Sequence, residues 1–247
     1  MAAGQAAIEI RRLTQLSEYE HVVRLQREIW GFDETDLLPL RFMVVATRVG
    51  GQVFGAFDGE QMIAFLAAIP GIKPGPRPYL HSHMMGVQPQ YRDRGIGRAL
   101  KLRQREDALE REIPLVEWTF DPLELKNAYF NIERLGAIVR RYVENQYGIT
   151  GSPLHGGLPT DRCYAEWWIG TGRVGGILAR APRQETAAER IAYPTDMARL
   201  RGEESPRARE IQRRNAEKFQ AAFGRGLAVT GFERGPSESS YLLRPWE

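Results

Sequence analysis

The chain has 247 residues, of which 43% are hydrophobic and 26% charged, and its formal net charge is +3. These proportions are ordinary for a globular protein with a substantial core, and no apolar run approaches the roughly 20 residues that a membrane helix needs. Cys163 is the only cysteine, which excludes an internal disulfide and a zinc site built on several thiolates. Because residues 1–12 hold no apolar stretch long enough for a signal peptide, we expect a cytoplasmic protein with no membrane partner.

The positive charge does not by itself predict a nucleic-acid partner. Between Arg173 and Lys218 the arginines are interleaved with seven acidic residues, so no continuous basic stripe forms. A mildly positive surface would suit an anionic small molecule equally well. We therefore do not expect nucleic acid as a ligand.

The first part of the chain has the pattern of a strand meander with two helices. Alternating apolar residues favour strands, and apolar residues three or four positions apart favour helices. The first helix would begin at a capping box of Ser17 and Glu20. The predicted elements are a strand at Ile8–Leu13, helices at about Ser17–Trp30 and Pro39–Arg48, a hairpin of Gln52–Phe57 with Gln61–Ile69, and a strand at Tyr79–Val87.

Helices and strands alternate in the next part of the chain. The predicted elements are a helix from about Gly97 to Glu112, a strand at Leu115–Phe120, a helix at Leu123–Leu135, and strands at Ile138–Val143 and Arg162–Ile169. An antiparallel meander followed by alternating helices and strands predicts a layered domain of the α/β (α+β) class. Over residues 1–170 we expect a mixed, mostly antiparallel central sheet flanked by helices.

The composition changes after Gly170, so we predict a separate C-terminal extension over residues 171–247. Gly175 to about Glu204 has few large apolar residues and would be extended or loosely folded. An amphipathic helix follows at about 205–223, and Leu227–Glu233 with Ser239–Leu243 would form a hairpin at about 227–243. We expect this small α/β appendage to pack on the first domain.

The stretch from His83 to Leu100 carries the functional signal. A strand runs into an Arg-x-x-Gly-x-Gly turn, and an amphipathic helix begins at once. Glycines let the backbone approach a ligand closely, and the unpaired amides at a helix N-terminus bind phosphate oxygens. Arg92, Arg94 and Arg98 add positive charge nearby.

This stretch resembles the GNAT superfamily of N-acetyltransferases. Arg92 to Gly97 matches the family's Q/R-x-x-G-x-G/A pyrophosphate loop, and Asn127 with Leu135-Gly136-Ala137 resembles its later helix. The resemblance covers about two thirds of the chain. It implies transfer of an acyl group from acetyl-CoA or another acyl-CoA to a small-molecule or peptide amine, without a metal. The implied coenzyme A contacts are Met85, Val87, Arg92, Asp93, Arg94, Gly95, Ile96, Gly97, Arg98 and Asn127.

In the family, the strand matching Tyr79–Val87 splays from the strand matching Leu115–Phe120, and pantetheine runs through the gap. The acceptor amine attacks the thioester directly, and backbone amides near Met85 would polarise the carbonyl. A tyrosine often protonates the leaving thiolate, but Ile132 stands at that position here. A non-catalytic acyl-CoA sensor of the same fold is therefore an alternative.

His83 and Glu117 are the candidate catalytic residues. His81 and His83 share a face of one strand, and His83 could accept the proton of the amine; the alternative is a pair of hydrogen-bonded structural histidines. Glu117 lies in mid-strand, where a carboxylate must be partnered, reach water or have a raised pKa, and the last would suit a general base. Its alternative is a solvent-facing strand residue.

Other polar residues have simpler interpretations. Asp121 before Pro122 reads as a turn or helix-cap residue, and Cys163 as a packed strand residue. The loop 148–161, with His155 and Asp161, would be a wall of the acceptor pocket or an ordinary surface loop.

A dinucleotide-binding protein is a competing hypothesis, because Gly95-Ile96-Gly97 is followed about twenty residues later by Glu117. Against it, Leu100 stands where a third small residue is needed, and the loop follows several strands instead of opening the domain. The sequence leaves the oligomeric state open, with a homodimer as one option.

Overall fold

The computed structural model describes residues 7–73, 75, 78–149, 156–182, 186–203 and 205–246. The chain divides into two compact units, Met1–Val116 and Glu117–Glu247. The boundary falls inside the strand Leu115–Phe120, so this strand supplies residues to both units.

In the first unit, neighbouring strands pair antiparallel in chain order, from β1 through β4. The elements are β1 (Glu9–Arg12), α1 (Leu16–Trp30), α2 (Leu40–Arg48), β2 (Gln52–Asp58), β3 (Gln61–Gly71), β4 (Tyr79–Val87), α3 (Ile96–Glu110) and the first two residues of β5 (Leu115–Phe120). The predicted strand meander is therefore present.

Helices cover both faces of this sheet over its central strands, β2 and β3. Helices α1 and α2 cover one face, where Leu25, Met43 and Phe65 share a cluster. Helix α3 covers the other face and contributes Ile96 and Leu100 to a second cluster. Strands β2 and β3 are consequently buried at nearly every position instead of at alternate ones, which is why they read as continuous apolar runs.

The start of α1 differs from the prediction. The helix begins at Leu16, and the carboxylate of Glu18 accepts hydrogen bonds from the backbone N–H groups of Thr14 (2.8 Å) and Gln15 (3.0 Å). Glu18, not Glu20, is therefore the capping carboxylate, and the predicted box of Ser17 and Glu20 is wrong. The residue three positions before Glu18 is Gln15, not Ser or Thr, so the capping-box motif does not point to Glu18.

The second unit contains the rest of β5 and a larger set of elements. These are α4 (Leu125–Tyr129), a π-helical turn (Phe130–Arg134), β6 (Ile138–Val143), β7 (Arg162–Trp168), α5 (Gly172–Leu178), β8 (Glu189–Pro194), α6 (Met197–Glu203), α7 (Ser205–Gly224), β9 (Leu227–Arg234) and β10 (Glu238–Pro245). Its strands lie in the order β5-β7-β6-β9-β10-β8. β6 pairs antiparallel with both β7 and β9.

The helix predicted at Leu123–Leu135 is shorter and irregular. Helix α4 ends at Tyr129, and the following turn is π-helical, with the N–H of Leu135 donating to the carbonyl of Phe130 at 3.1 Å. The N–H of Ala137 then donates to Asn131 O at 3.0 Å, and Gly136 takes a φ of +85°. This widened turn inserts a residue into the helical register, a change that the apolar spacing does not reveal.

The described residues between 175 and 203 are largely folded into helices and a strand, so the prediction that this segment would be extended or loosely folded is wrong. It contains most of α5 together with β8 and α6. Each element buries two apolar side chains: Val174 and Ile177, Ile191 and Tyr193, Met197 and Leu200, all at most 6% exposed. Two well-placed side chains in each short element suffice to bury it, although the segment as a whole is poor in large apolar residues.

Residues 171–247 lie in the same compact unit as residues 117–170. Val139 of β6 pairs with Val229 of β9, and the ring of Tyr142 stacks on Phe219 of α7 with centroids 5.3 Å apart. The hydroxyl of Tyr241 donates to Pro122 O at 2.7 Å. The helix and hairpin of the C-terminal segment thus extend the sheet and core of the second unit.

Candidate active site

Strand β4 contains a β-bulge at His83. Met84 pairs with Ala67 of β3 and Ser82 pairs with Ala68, so His83 has no register partner between them. Met84 packs into the core under α1 and α2, and the ring of His83 lies 6.2 Å from that of Phe42 on α2. The bulge therefore directs two consecutive side chains toward the same side of the strand.

His83 combines an exposed edge with a perturbed pKa. Its side chain keeps contact with solvent, while desolvation by the surrounding protein lowers its pKa. The rings of His81 and His83 lie 6.1 Å apart, so the two histidines share a face. An imidazole that stays neutral at neutral pH can accept a proton, which is the chemistry that a general base needs.

The loop after β4 connects this strand to the N-terminus of α3. A 3-10 turn at Pro89–Tyr91 is followed by Asp93 with φ +61° and by Gly95 with φ +80°. Gly95 is the N-cap of α3, and its carbonyl accepts the N–H of Ala99 at 3.0 Å. No side chain in the described part of the chain caps this helix. Its first-turn amides are therefore available to an anionic ligand.

Arg92 and Arg94 of the loop are exposed, and the guanidinium of each has a contact near the loop. Arg92 Nε donates to Val87 O at 3.3 Å, and the guanidinium of Arg94 lies 5.1 Å from the ring centre of Tyr91. The Tyr91 hydroxyl donates to Asp58 at 2.9 Å, which anchors the loop to β2. Positive charge is thereby held beside the uncapped helix N-terminus, where phosphate oxygens would be stabilised.

Gly97 lies against β4. A Cβ built at this position would meet the methyl group of Met85 at 3.4 Å, which is ordinary contact. Met85 and Val87 pack against the cluster that contains Ile96. The first turn of α3 and the end of β4 are therefore adjacent.

In the second unit, Glu117 has an ionic partner. Its side chain is 2% exposed, and Oε1 accepts a hydrogen bond from Arg141 Nη2 at 3.2 Å. The guanidinium of Arg141 in turn lies 3.4 Å from the ring centre of Tyr164. Of the three options for a mid-strand carboxylate, the structure shows the partnered one.

Asp121 and Asp161 have structural partners. Asp121 accepts the N–H of Leu123 at 2.8 Å, as expected of a turn residue, and also pairs with the buried Arg201 at 3.2 Å. Asp161 accepts the Tyr142 hydroxyl at 2.6 Å, and burial raises the pKa of its carboxyl. No sequence pattern indicates that Arg201 is a buried partner, because the residues it pairs with are distant along the chain. His155 lies outside the described residues.

The comparison with protein families gives the family that this strand, loop and helix resemble. The acetyltransferase (GNAT) family model matches residues 16–136, a span that contains β4, the Gly95 loop and α3. The chain carries a GNAT acetyltransferase domain. The family resemblance drawn from Arg92 to Gly97 is thereby confirmed.

Solved structures share the GNAT fold at low sequence identity. The ribosomal-protein-S18-alanine N-acetyltransferase of Escherichia coli superposes with a TM-score of 0.53 and 16% identity, over 67% of this chain and 96% of that one. Arabidopsis thaliana NAA60 in complex with acetyl-CoA gives 0.53 and 16%, over 66% and 99%. Arabidopsis thaliana Naa50 with a bisubstrate analogue gives 0.52 and 12%, over 65% and 98%. The predicted fold class is confirmed. A comparison with curated proteins gives no match.

Two predicted features of the GNAT domain lie in the second unit. Asn127 is exposed on α4, and Ile132, which stands where the family often has a tyrosine acid, is fully buried in the π-helical turn. In the described residues, no three His, Cys, Asp or Glu side chains converge as metal ligands. No helix among those residues is long and apolar enough to cross a membrane.

Proposed function

We propose that this protein is an acyl-CoA-dependent N-acyltransferase that moves an acetyl group from acetyl-CoA to an amine. The observation that carries the proposal is the uncapped N-terminus of α3 behind Gly95, flanked by the exposed Arg92 and Arg94. The amides of this turn would hold the pyrophosphate of coenzyme A, and Met85 and Val87 would face its pantetheine arm. The GNAT family match over residues 16–136 supports the same assignment.

The acceptor would be a primary amine of a peptide or a small molecule. In direct transfer the amine nitrogen bonds to the thioester carbonyl carbon, the carbon–sulfur bond breaks, and the amine loses a proton while the thiolate gains one. His83 would take the amine proton, since desolvation holds its pKa low and the ring is accessible. Glu117 remains the second candidate, although its pair with Arg141 favours a structural role. With Ile132 in place of an acid, solvent would protonate the thiolate.

The solved structures with this fold support a peptide as one acceptor class. One of them acts on ribosomal-protein-S18 alanine, and another was solved with a peptide-like bisubstrate analogue. A cytoplasmic location and a homodimer stay predictions.

Calorimetric titration with acetyl-CoA and with NAD tests the ligand. We expect acetyl-CoA to bind and NAD not to bind; binding of NAD alone would favour the dinucleotide hypothesis. Thiol release from acetyl-CoA, measured against a library of amines and short peptides, then tests the reaction. Release with at least one acceptor supports the enzyme.

A non-catalytic acyl-CoA sensor is the second candidate function. The observation that favours it is Ile132, which is 0% exposed and offers no proton to a leaving thiolate. Tight acetyl-CoA binding without thiol release from any acceptor would support the sensor over the enzyme.

A further inference from the structure

Helix α3 carries a buried lysine that the proposed chemistry does not use. Lys101 is 2% exposed on the side of the helix that faces the sheet. Its Nζ donates to Ser82 Oγ of β4 at 2.8 Å and to Gln104 Oε1 at 3.1 Å. Lysine is almost never fully buried unless it is paired, so its presence here needs a reason.

The amine is one end of a polar network between α3 and the strands. Gln104 Nε2 donates to Gln52 Oε1 on β2 at 3.0 Å, and Gln52 Nε2 donates to Asp107 Oδ2 at 2.6 Å. Asp107 also pairs with Arg12 of β1 and with Arg111. The network therefore connects α3 to three strands, and Lys101 is its contact with β4.

The position of that contact links two parts of the candidate active site. Ser82 immediately precedes the bulge residue His83. Gly97, four residues before Lys101 and thus one turn earlier on the same face, lies against Met85 just beyond the bulge. Lys101 thus holds the residue before the bulge, Ser82, while the first turn of α3 contacts Met85, two residues after the bulge residue.

An apolar residue would stabilise this interior more. Its neighbours in the same helix, Ile96 and Leu100, belong to an apolar cluster. Burying an amine costs free energy that a methionine of similar length would avoid. Burial also lowers the pKa of Lys101 well below its ordinary value, which shows how poorly the site accommodates the charged form. Residues that break a local rule in this way occur chiefly where function requires them.

We propose that Lys101 is a positioning residue, which fixes the His83 bulge of β4 relative to the helix whose N-terminus binds the coenzyme A pyrophosphate. The expected effect on turnover rests on the proposed acyl-transfer function. The contact between Lys101 and Ser82 does not depend on that function. Loss of the amine would free the backbone at Ser82 and His83, and so disturb the alignment of His83 with a thioester carbonyl held at the amides near Met85. It would leave the pyrophosphate site intact.

Lys101→Met is the test, with Lys218→Met on the exposed face of α7 as the matched control. Hydrogen–deuterium exchange of the ligand-free protein should show faster exchange of the β4 amides at 82–86, by roughly tenfold, and unchanged exchange in β2. Ser82→Ala, which removes only the acceptor, should reproduce the effect. In acyl transfer, kcat of Lys101→Met should fall by roughly tenfold to a hundredfold while acetyl-CoA affinity stays within about threefold.

Unchanged exchange at 82–86 in both variants would overturn the proposal, whatever the protein's activity. Faster exchange together with an unchanged kcat would also overturn it, because the bulge would then not govern turnover. The proposed function is judged separately on the wild type: absence of acetyl-CoA binding refutes that function, and the exchange comparison in ligand-free protein still decides whether Lys101 holds the strand.

Discussion

At the scale of single residues, the two glycines of the loop have different roles. Gly95 adopts φ +80° with open space around its Cα, so its conformation requires glycine although its surroundings do not. Gly97 has an ordinary helical backbone, and an added Cβ would merely contact Met85 at 3.4 Å. One glycine serves the turn, and the other lies in the first turn of α3 against Met85.

We therefore expect Gly95→Ala to lower the free energy of unfolding by about 1–2 kcal/mol, since an L-residue is strained in the left-handed region. Gly97→Val should leave urea denaturation nearly unchanged and abolish acetyl-CoA binding, because its branched side chain would occupy the space of the phosphates. Gly97→Ala is the matched control and should bind with intermediate affinity. Full affinity in Gly97→Val would refute the pyrophosphate assignment.

The lowered pKa of His83 predicts how kcat depends on pH. If the neutral ring accepts the proton of the amine, activity is lost as pH falls through the pKa of His83. Because burial lowers that pKa, the acid limb of the kcat profile should have its midpoint below about 6.5, the ordinary value for histidine. His83→Ala should remove this limb and lower kcat by a factor of about 10² to 10⁴.

His21→Ala is the control, since His21 is another histidine of the first unit with a lowered pKa and lies on α1, not on β4. It should leave the profile unchanged. An acid limb that persists in His83→Ala would assign the base to another group.

The role of a residue could be predicted from sequence where a short local motif determines the conformation around it. Gly95 and the arginines of the loop follow from a short motif whose conformation is nearly context-free. Lys101 and Arg201 could not be recognised, because a lysine or arginine in a helix reads as a surface residue. Only the partners brought by the fold, Ser82 for one and Asp121 for the other, reveal that these cations are buried.

At the scale of elements, α7 is the helix that closes the core of the second unit. Phe219 is fully buried, stacks on Tyr142 of β6, and meets the ring of Tyr241 of β10 edge-on at 5.2 Å. Phe223, one turn later, is only partly buried. The two phenylalanines of one helix therefore differ in how much packing they supply.

Phe219→Ala should reduce the free energy of unfolding by about 3–5 kcal/mol, because it deletes a buried ring that packs against three others, those of Tyr142, Phe223 and Tyr241. Phe223→Ala should cost clearly less. Urea denaturation followed by tryptophan fluorescence measures both, and Trp167 in this unit is a suitable reporter. Equal losses in the two variants would show that α7 is not anchored through Phe219.

Strands bounded by turn residues were predictable, and short helices were not. The limits of β4, β5 and β6 agree with the apolar runs that predicted them, since each run is bounded by turn residues. Helices α5 and α6 each have seven residues, so neither presents enough turns to establish a helical period. The π-helical turn after α4 arises from backbone hydrogen bonds that side-chain spacing does not encode.

At the scale of the whole molecule, the C-terminal third completes the second unit. We expect a chain ending at Gly170 to lose the partner of β6 and the aromatic cover of Tyr142. Such a chain should aggregate or bind a hydrophobic dye strongly, as measured by size-exclusion chromatography and dye fluorescence. A chain ending at Arg244, which keeps nearly all of β10, is the control and should remain monodisperse. A monodisperse Gly170 chain with an unchanged melting temperature would mean that the extension is dispensable for folding.

The pairing of Val139 with Val229 also sets an order of events during protein synthesis. The ribosome makes β6 and then must add 90 residues before the partner residue on β9 exists, as the difference between the two residue numbers shows. At about 5–20 residues per second this takes roughly 5 to 20 seconds, during which one edge of β6 stays unpaired. The nascent chain thus presents an open strand edge for seconds while it is still being synthesised.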